Sequence, residues 1–305
     1  MSNGALSVLG LCAVNVLLAL LLAPLYEGIL RKLRAVIHSR QGPPLTQSYL
    51  DLLKLLGKED LRTSPGALYA FAPALTLASV LVLATLVPMG TAPPLGFAGD
   101  IIVIVYVAAV SAVLAILTAF ASQSPYAFVG GSREMMLLLA VEPVVVVTLI
   151  VGAVNAGTLA TGDIVTWHTA NGPTISMVVA SVALFLALQA QAGKLPFDIP
   201  EADQEIMGGP LVELSGARLA LLRWALWAKQ LVFAFLLVEI FVPWPSTGTY
   251  YIDLTLALAK VLLVLILVAV VDAVNPRLRV EQAMRYYARV AFVSLSALAF
   301  AVIGM

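Results

Sequence analysis

Residues 173–242 read PTISMVVASVALFLALQAQAGKLPFDIPEADQEIMGGPLVELSGARLALLRWALWAKQLVFAFLLVEIFV. Two apolar runs, 173–192 and 219–242, flank a polar segment, GKLPFDIPEADQEIMGGPLVELSG, at Gly193–Gly216. Each run is long enough for a helix to cross about 30 Å of hydrocarbon at about 1.5 Å per residue. Lipid offers no partner for open backbone groups, so helices are the expected spanning form. The polar segment carries five of the seventeen carboxylates: Asp198, Glu201, Asp203, Glu205 and Glu213. Charge beside hydrocarbon is costly, and carboxylates gathered there point to a task, such as carrying protons or docking a partner.

Six further apolar runs lie at 5–30, 67–88, 100–121, 134–155, 253–274 and 287–304. The expected fold is all-α: a polytopic membrane bundle of eight transmembrane helices forming a single integral membrane domain over 1–305. Composition agrees, with 61% hydrophobic and 11% charged residues, where a soluble domain carries about 25% charge. The basic residues give the bundle a direction. Segments 31–66, 122–133, 193–218 and 275–289 hold seven, one, two and four Lys or Arg, while 1–4, 89–99, 156–172 and 243–252 hold none. Positive charge stays cytoplasmic. Both termini are therefore expected outside, and the acidic segment inside. The outer segments read as short turns, with Trp167 and Trp244 near their ends, where interfacial aromatics collect.

Several function classes drop out. Net charge is zero, so no basic face exists for nucleic acid. The single cysteine, Cys12, excludes disulfides, iron–sulfur clusters and thiolate zinc sites within this chain. The two histidines, His38 and His168, lie far apart and give no metal-ligand spacing. No GxxxxGK[ST] loop for nucleotide phosphates occurs. The first apolar run has no basic residue before it, unlike a secretory signal, and is expected to be a retained span. Any redox cofactor belongs to a partner chain.

Between the first two spans lies HSRQGPPLTQSYLDLLKLLGKED. Tyr49, Leu52, Leu53 and Leu56 fall at helical spacing, with Asp51, Lys54 and Lys58 off that face. This predicts a short amphipathic helix along the membrane surface. It would serve as an anchor or as a docking surface.

In the acidic segment, Pro200 suits the first turn of a short helix, with Asp198 or Ile199 near its cap. That helix would align Asp198, Glu201 and Glu205 and turn Asp203 away, and Gly208, Gly209 and Pro210 would end it. Carboxylates crowded on one face repel and take up protons more readily. Groups titrating near neutrality relay protons; the plainer reading is a solvated acidic loop. Glu142 sits in the fourth span before Pro143, which removes a backbone donor. Glu239 in the sixth span and Lys260 in the seventh come out at similar depth near the outer edge. They are expected to form a structural ion pair. Lys229 lies deeper on a different face, and Asp272 closes the seventh span. Ionisable groups within a span are candidates for function, Glu142 above all.

Four segments carry a resemblance: RQGPPLTQSYLDLLKLLGKED, GGSREMMLLLAVEP, GKLPFDIPEADQEIMGGPLVELSG and NPRLRVEQAMRYY. Together they resemble the NuoH-like family, membrane subunits of respiratory complex I and of its hydrogenase relatives. The likeness is strongest to the membrane-bound [NiFe]-hydrogenase branch. Two departures are visible: Asp203 stands where Glu is commoner, and ELSG replaces EYSG. The resemblance implies a membrane subunit of an energy-converting [NiFe]-hydrogenase or formate hydrogenlyase complex in the inner (cytoplasmic) membrane. It would join a peripheral redox arm to an ion-translocating arm.

The implied partners are the hydrogenase large and small subunits, an iron–sulfur subunit and an antiporter-like membrane subunit. These partners would hold the iron–sulfur clusters and the nickel–iron centre, with no cofactor in this chain. The implied relay residues are Glu142, Asp198, Glu201, Asp203, Glu205, Glu213 and Glu239. Arg40, Gln41, the Gly42–Pro43–Pro44 turn and Arg133 would face the peripheral arm. The alternatives are the quinone-cavity subunit of a complex I-type enzyme, a relative reducing sulfur compounds, a passive anchor, and an autonomous ion-coupled transporter. The last would be expected to show internal repeats and a midplane site.

Overall fold

In the computed structural model, residues 2–61, 63–90, 92–96 and 99–304 are described, with side chains from residue 8 onward. Eleven α-helices follow one another: α1 (Ser2–Ile37), α2 (Gln47–Leu56), α3 (Ala67–Leu86), α4 (Ile101–Ala121), α5 (Pro125–Ala156), α6 (Thr161–Asn171), α7 (Ile175–Gln191), α8 (Asp203–Ile206), α9 (Gly216–Phe241), α10 (Tyr250–Val274) and α11 (Val280–Ile303). A single 3₁₀ turn, Gly209–Leu211, lies between α8 and α9. Seven helices are long and apolar enough to cross a membrane: α1, α3, α4, α5, α9, α10 and α11. The remaining apolar run forms α7, which has 17 residues and is about 26 Å long.

The bundle is organised around α9. Every residue from Trp227 to Phe241 is buried, because α1, α2, α3, α6, α7 and α10 all pack against it. A helix apolar on all sides belongs at such a centre. Lipid-facing helices bury less of themselves and leave residues such as Leu139, Leu263 and Phe292 exposed.

Several sequence expectations are corrected. The expected loop 122–133 is mostly helix: α5 starts at Pro125, which suits a first helical position, so Arg133 sits on a helix. The expected outer turn 156–172 contains α6, whose sequence TGDIVTWHTAN shows no apolar periodicity. Helix α1 runs on to Ile37, and α11 begins at Val280, so both project past their apolar runs. The short helix expected after the first span is α2. Ser48 and Leu52 are buried against the bundle, while Leu53 and Leu56 are exposed.

The acidic segment is not one helix. Residues before proline are kept out of the helical region, and Leu195 and Ile199 both precede proline. Asp198 therefore lies in irregular chain and Glu201 in a turn, and only Asp203 and Glu205 are on α8. The expected shared face of Asp198, Glu201 and Glu205 does not exist. Met207, Gly208 and Gly209 have φ of 55°, 93° and 50°, which reverse the chain after α8. A Cβ at Gly209 would stand 2.0 Å from the Pro200 carbonyl oxygen. Gly209→Ala should therefore destabilise the loop by about 1–3 kcal/mol or more. Faster limited proteolysis between residues 193 and 216 would register that loss.

Candidate ion-relay site

The irregular acidic loop is stapled to four elements. On α1, Glu27 is buried, and the Lys194 ammonium donates to both of its oxygens at 2.9 Å. Arg31 donates to Glu27 at 3.3 Å and to Asp51 of α2 at 2.9 Å. On α10, buried Asp272 pairs with Arg34 and accepts the Leu195 N–H at 2.9 Å. Between α10 and α11, Leu278 N–H donates to the Pro196 carbonyl at 3.0 Å, and Arg277 donates to Asp198 at 2.6 Å. Phe197 is buried between the rings of Tyr286 and Tyr287, at 5.3 and 4.8 Å. On α5, Gly130 admits the loop: a Cβ there would stand 2.6 Å from Pro210 Cδ. Arg133, one helical turn further, donates to Glu205 at 2.7 Å.

These staples hold Glu201 at a junction of two cavities. One, of about 180 Å³, is lined by Glu27, Arg31, Lys194 and Arg223. The other, of about 50 Å³, is lined by Asp198, Glu134, Gln191 and Lys229. Glu201 lines both. Glu134 and Gln191 border a third, smaller space toward Val141. Lys229 is buried, and Gln191 borders both the cavity of about 50 Å³ and the space toward Val141. Glu134 and Glu142 are eight residues apart on α5, about 12 Å along its axis. The polar groups therefore form a line: Glu201, Glu134, Gln191 and Lys229 share one cavity, and Glu142 stands about two turns further along α5.

The loop's charges are tuned differently. Burial, then the negative charges of Asp198 and Glu134, push Glu201 up to about 7. Burial also raises Asp198, against the opposing pull of Arg277. Glu205 is exposed, and the Arg133 hydrogen bond and charge lower it. A carboxyl near neutrality both accepts and releases protons at cellular pH. Glu201, raised from the ordinary 4.5 to about 7, contributes stability below pH 4.5 that is lost as pH rises through 7. Glu201→Gln stays neutral throughout. The variant should match the native protein in thermal stability at acid pH and exceed it above neutrality, as thermal unfolding at several pH values would register.

Of the residues expected from sequence, Asp198, Glu201 and Glu142 fall on or beside this line. Glu205 lines a separate surface cavity of about 350 Å³ with Arg133, Arg277 and Arg279. Asp203 is exposed on α8. Glu213 lies apart, where Tyr69 donates to its backbone carbonyl at 2.5 Å. Arg40, Gln41 and Pro44 are exposed on the turn before α2, and Gly42 and Pro43 are half-buried against α1. Arg133 is tied to Glu205 instead of joining that turn.

Glu239 stands at the opposite end of α9. It shares a cavity with Lys260, but among the described residues the two make no ion pair within 4 Å. Glu239 accepts the Gly90 N–H, and Lys260 donates to the Val242 carbonyl at 2.9 Å. The end of α9 exposes unpaired carbonyls, which draw the ammonium away.

Sequence reasoning missed Glu134, which stands at the first position of its expected span. It also missed Glu27 and Lys194 as a pair; they are separated by 167 residues. The GGSREMM motif around Glu134 was the available signal.

A family described as NADH dehydrogenase matches residues 9–303, nearly the whole chain. The chain belongs to this family. Hydrogenase-4 component C of Escherichia coli (strain K12) is 34% identical over 286 residues, covering 88% of each chain. Formate hydrogenlyase subunit 4 of the same organism is 33% identical over 310 residues, covering 93% of this chain and 97% of the relative. A chain of the archaeal membrane-bound sulfane sulfur reductase, a respiratory membrane complex, superposes with a TM-score of 0.88 at 28% identity. The match covers 97% of this chain and 99% of that one. The chain is thus homologous to membrane subunits of hydrogenase, formate hydrogenlyase and respiratory complexes, and its apolar helices suit a membrane-embedded subunit.

Proposed function

We propose that this chain is the membrane subunit of an energy-converting [NiFe]-hydrogenase or formate hydrogenlyase complex, joining a peripheral redox arm to an ion-translocating arm and relaying protons. The observation that carries the reading is the cavity beneath the loop that brings Glu201, Glu134, Gln191 and the buried Lys229 together. Charges inside a bundle are costly and accompany ion pathways. A passive anchor would need no such cluster, and the expense of burying Lys229 argues against it.

The staples on the loop suit it for coupling. Lys194, Leu195 and Asp198 tie it to α1, α10 and the α11 entry respectively, and α8 begins two residues after Glu201, so the loop joins Glu201 to all of these elements. Fourteen of the seventeen Lys and Arg residues fall in the segments at that end of the bundle. By the charge asymmetry rule that end faces the cytoplasm, and there the hydrogenase large and small subunits and the iron–sulfur subunit would dock. An antiporter-like subunit would lie beside it in the membrane. The identity of 33–34% over most of the chain to the two hydrogenase-type relatives favours the hydrogenase branch.

Purifying the complex from its native membrane tests the assignment. Nickel and iron co-eluting with this chain are expected. A chain that purifies alone and moves ions alone in liposomes would contradict the reading.

A further inference from the structure

At the far end of the bundle from the acidic loop, the α9–α10 connection, the chain after α3 and helix α6 enclose a cavity of about 170 Å³. Its lining includes Glu239, Lys260, Asp253, Thr166, Ser246 and Gly90. Glu239 is 8% exposed. Among the described residues its carboxylate has a single hydrogen bond, from the Gly90 N–H at 3.2 Å to Oε1. A carboxylate offers about four acceptor positions, so most of its capacity is unfilled and opens on the cavity.

The donor is built in. Gly90 has φ of 73°, and a Cβ there would stand 2.6 Å from the Leu254 backbone, so its N–H is held in place by close packing against α10.

The other charged groups around the cavity are already engaged. Asp253 accepts Thr247 N–H at 2.7 Å, the Thr247 hydroxyl at 2.9 Å and Gly248 N–H at 3.0 Å. The Lys260 ammonium donates to the Val242 and Trp244 carbonyls at 2.9 and 3.5 Å. On α6, His168 is fully buried behind the cavity lining, with Nδ1 2.8 Å from the Ile240 carbonyl oxygen and Nε2 without a partner among the described residues. No counter-ion within 4 Å compensates Glu239 among the described residues. An isolated buried carboxylate resolves its cost by binding a cation or a proton.

We propose that Glu239 is a proton-exchange site in contact with the outer medium through this cavity. The ligand is a proton and not a metal ion. A hard cation wants several oxygen ligands, whereas the second carboxylate lining the cavity, Asp253, is taken up by Thr247 and Gly248 and the Lys260 ammonium lines the same space. The outward sense rests on the sidedness reached above. The site itself rests on the cavity and on Glu239, and it is separate from the Glu201 line.

The test uses the intact complex in sealed right-side-out vesicles. The carboxyl infrared band that disappears in Glu239→Gln is followed while outer and inner pH are stepped separately. The band should titrate with outer pH and not with inner pH. Ser246→Cys, in a Cys12→Ser background, should react with a membrane-impermeant maleimide from outside. If Glu239→Gln fails to assemble, Glu239→Asp should shift the band instead of removing it. A Glu239-dependent band that follows only inner pH, or no such band in either variant, overturns the proposal, as does a Ser246→Cys thiol that reacts only after detergent. Reaction of Ser246→Cys from inside alone overturns the outward assignment together with the sidedness beneath it. Because the readout needs no turnover, it is independent of whether the Glu201 line relays protons.

Discussion

Glu201→Gln and Glu142→Gln are each expected to abolish most coupled proton movement, by at least about tenfold, while hydrogenase activity with an artificial electron carrier persists. The cause is electrostatic. Glu201 lines both the cavity beside the Glu27–Arg31–Lys194 network and the cavity that holds Glu134 and Lys229. With its carboxyl near 7, it exchanges protons in the working range. Glutamine keeps the size and hydrogen-bonding capacity but holds no exchangeable acidic proton. Glu142 is the far end of the line, and its loss strands Lys229 and Glu134. The two activities separate because the proposed redox centres all lie in partner chains. Proton uptake measured beside hydrogen turnover in the same vesicles reads both.

The second large effect is structural. Glu27→Ala should destabilise the loop by about 3–5 kcal/mol, because it leaves Lys194 as a buried cation without its partner. The Glu27 and Lys194 side chains are 6% and 16% exposed, so water screens the pair little. Arg31, on α1 itself, also loses its Glu27 partner and keeps Asp51 of α2 as its carboxylate partner. The double variant Glu27→Ala/Lys194→Met should recover most of the loss, since no stranded charge remains. Thermal unfolding of the assembled complex and trypsin cleavage within 193–216 measure the cycle. Additive single effects, with no recovery in the double variant, would show that the pair does not hold the loop.

The legibility of this molecule divides along physical lines. Long apolar runs announce spanning helices by composition alone, and α3, α4, α9 and α10 lie close to where their hydropathy puts them. The polar extensions of α1, α5 and α11 were invisible to that signal, because a helix continuing into water needs no apolar residues. Helix α6 was hidden for the same reason. The acidic loop was legible as a chemical feature but not as a shape. Its prolines and left-handed residues set a path that helical spacing rules do not describe.

Within the site, Glu142 and Glu201 were legible because each is a charge in an unlikely setting. Glu134 stood at a span boundary, where a charge looks ordinary, and only the fold carries it to the cavity beneath Glu201. Asp272 looked like a helix-end charge, yet it accepts a loop N–H from 77 residues away. Contacts across such separations leave no local pattern. The Glu239–Lys260 pair failed for the opposite reason. Similar depth brought the two to one cavity, but backbone carbonyls competed for the ammonium.

The relay is most exposed to test at Glu134, the residue that joins the loop to the interior of the bundle. The quantity to measure is the number of protons moved per hydrogen turned over in inside-out vesicles carrying Glu134→Gln. If the line relays protons, this ratio collapses while turnover with an artificial carrier stays near native. A native ratio in that variant would contradict the relay.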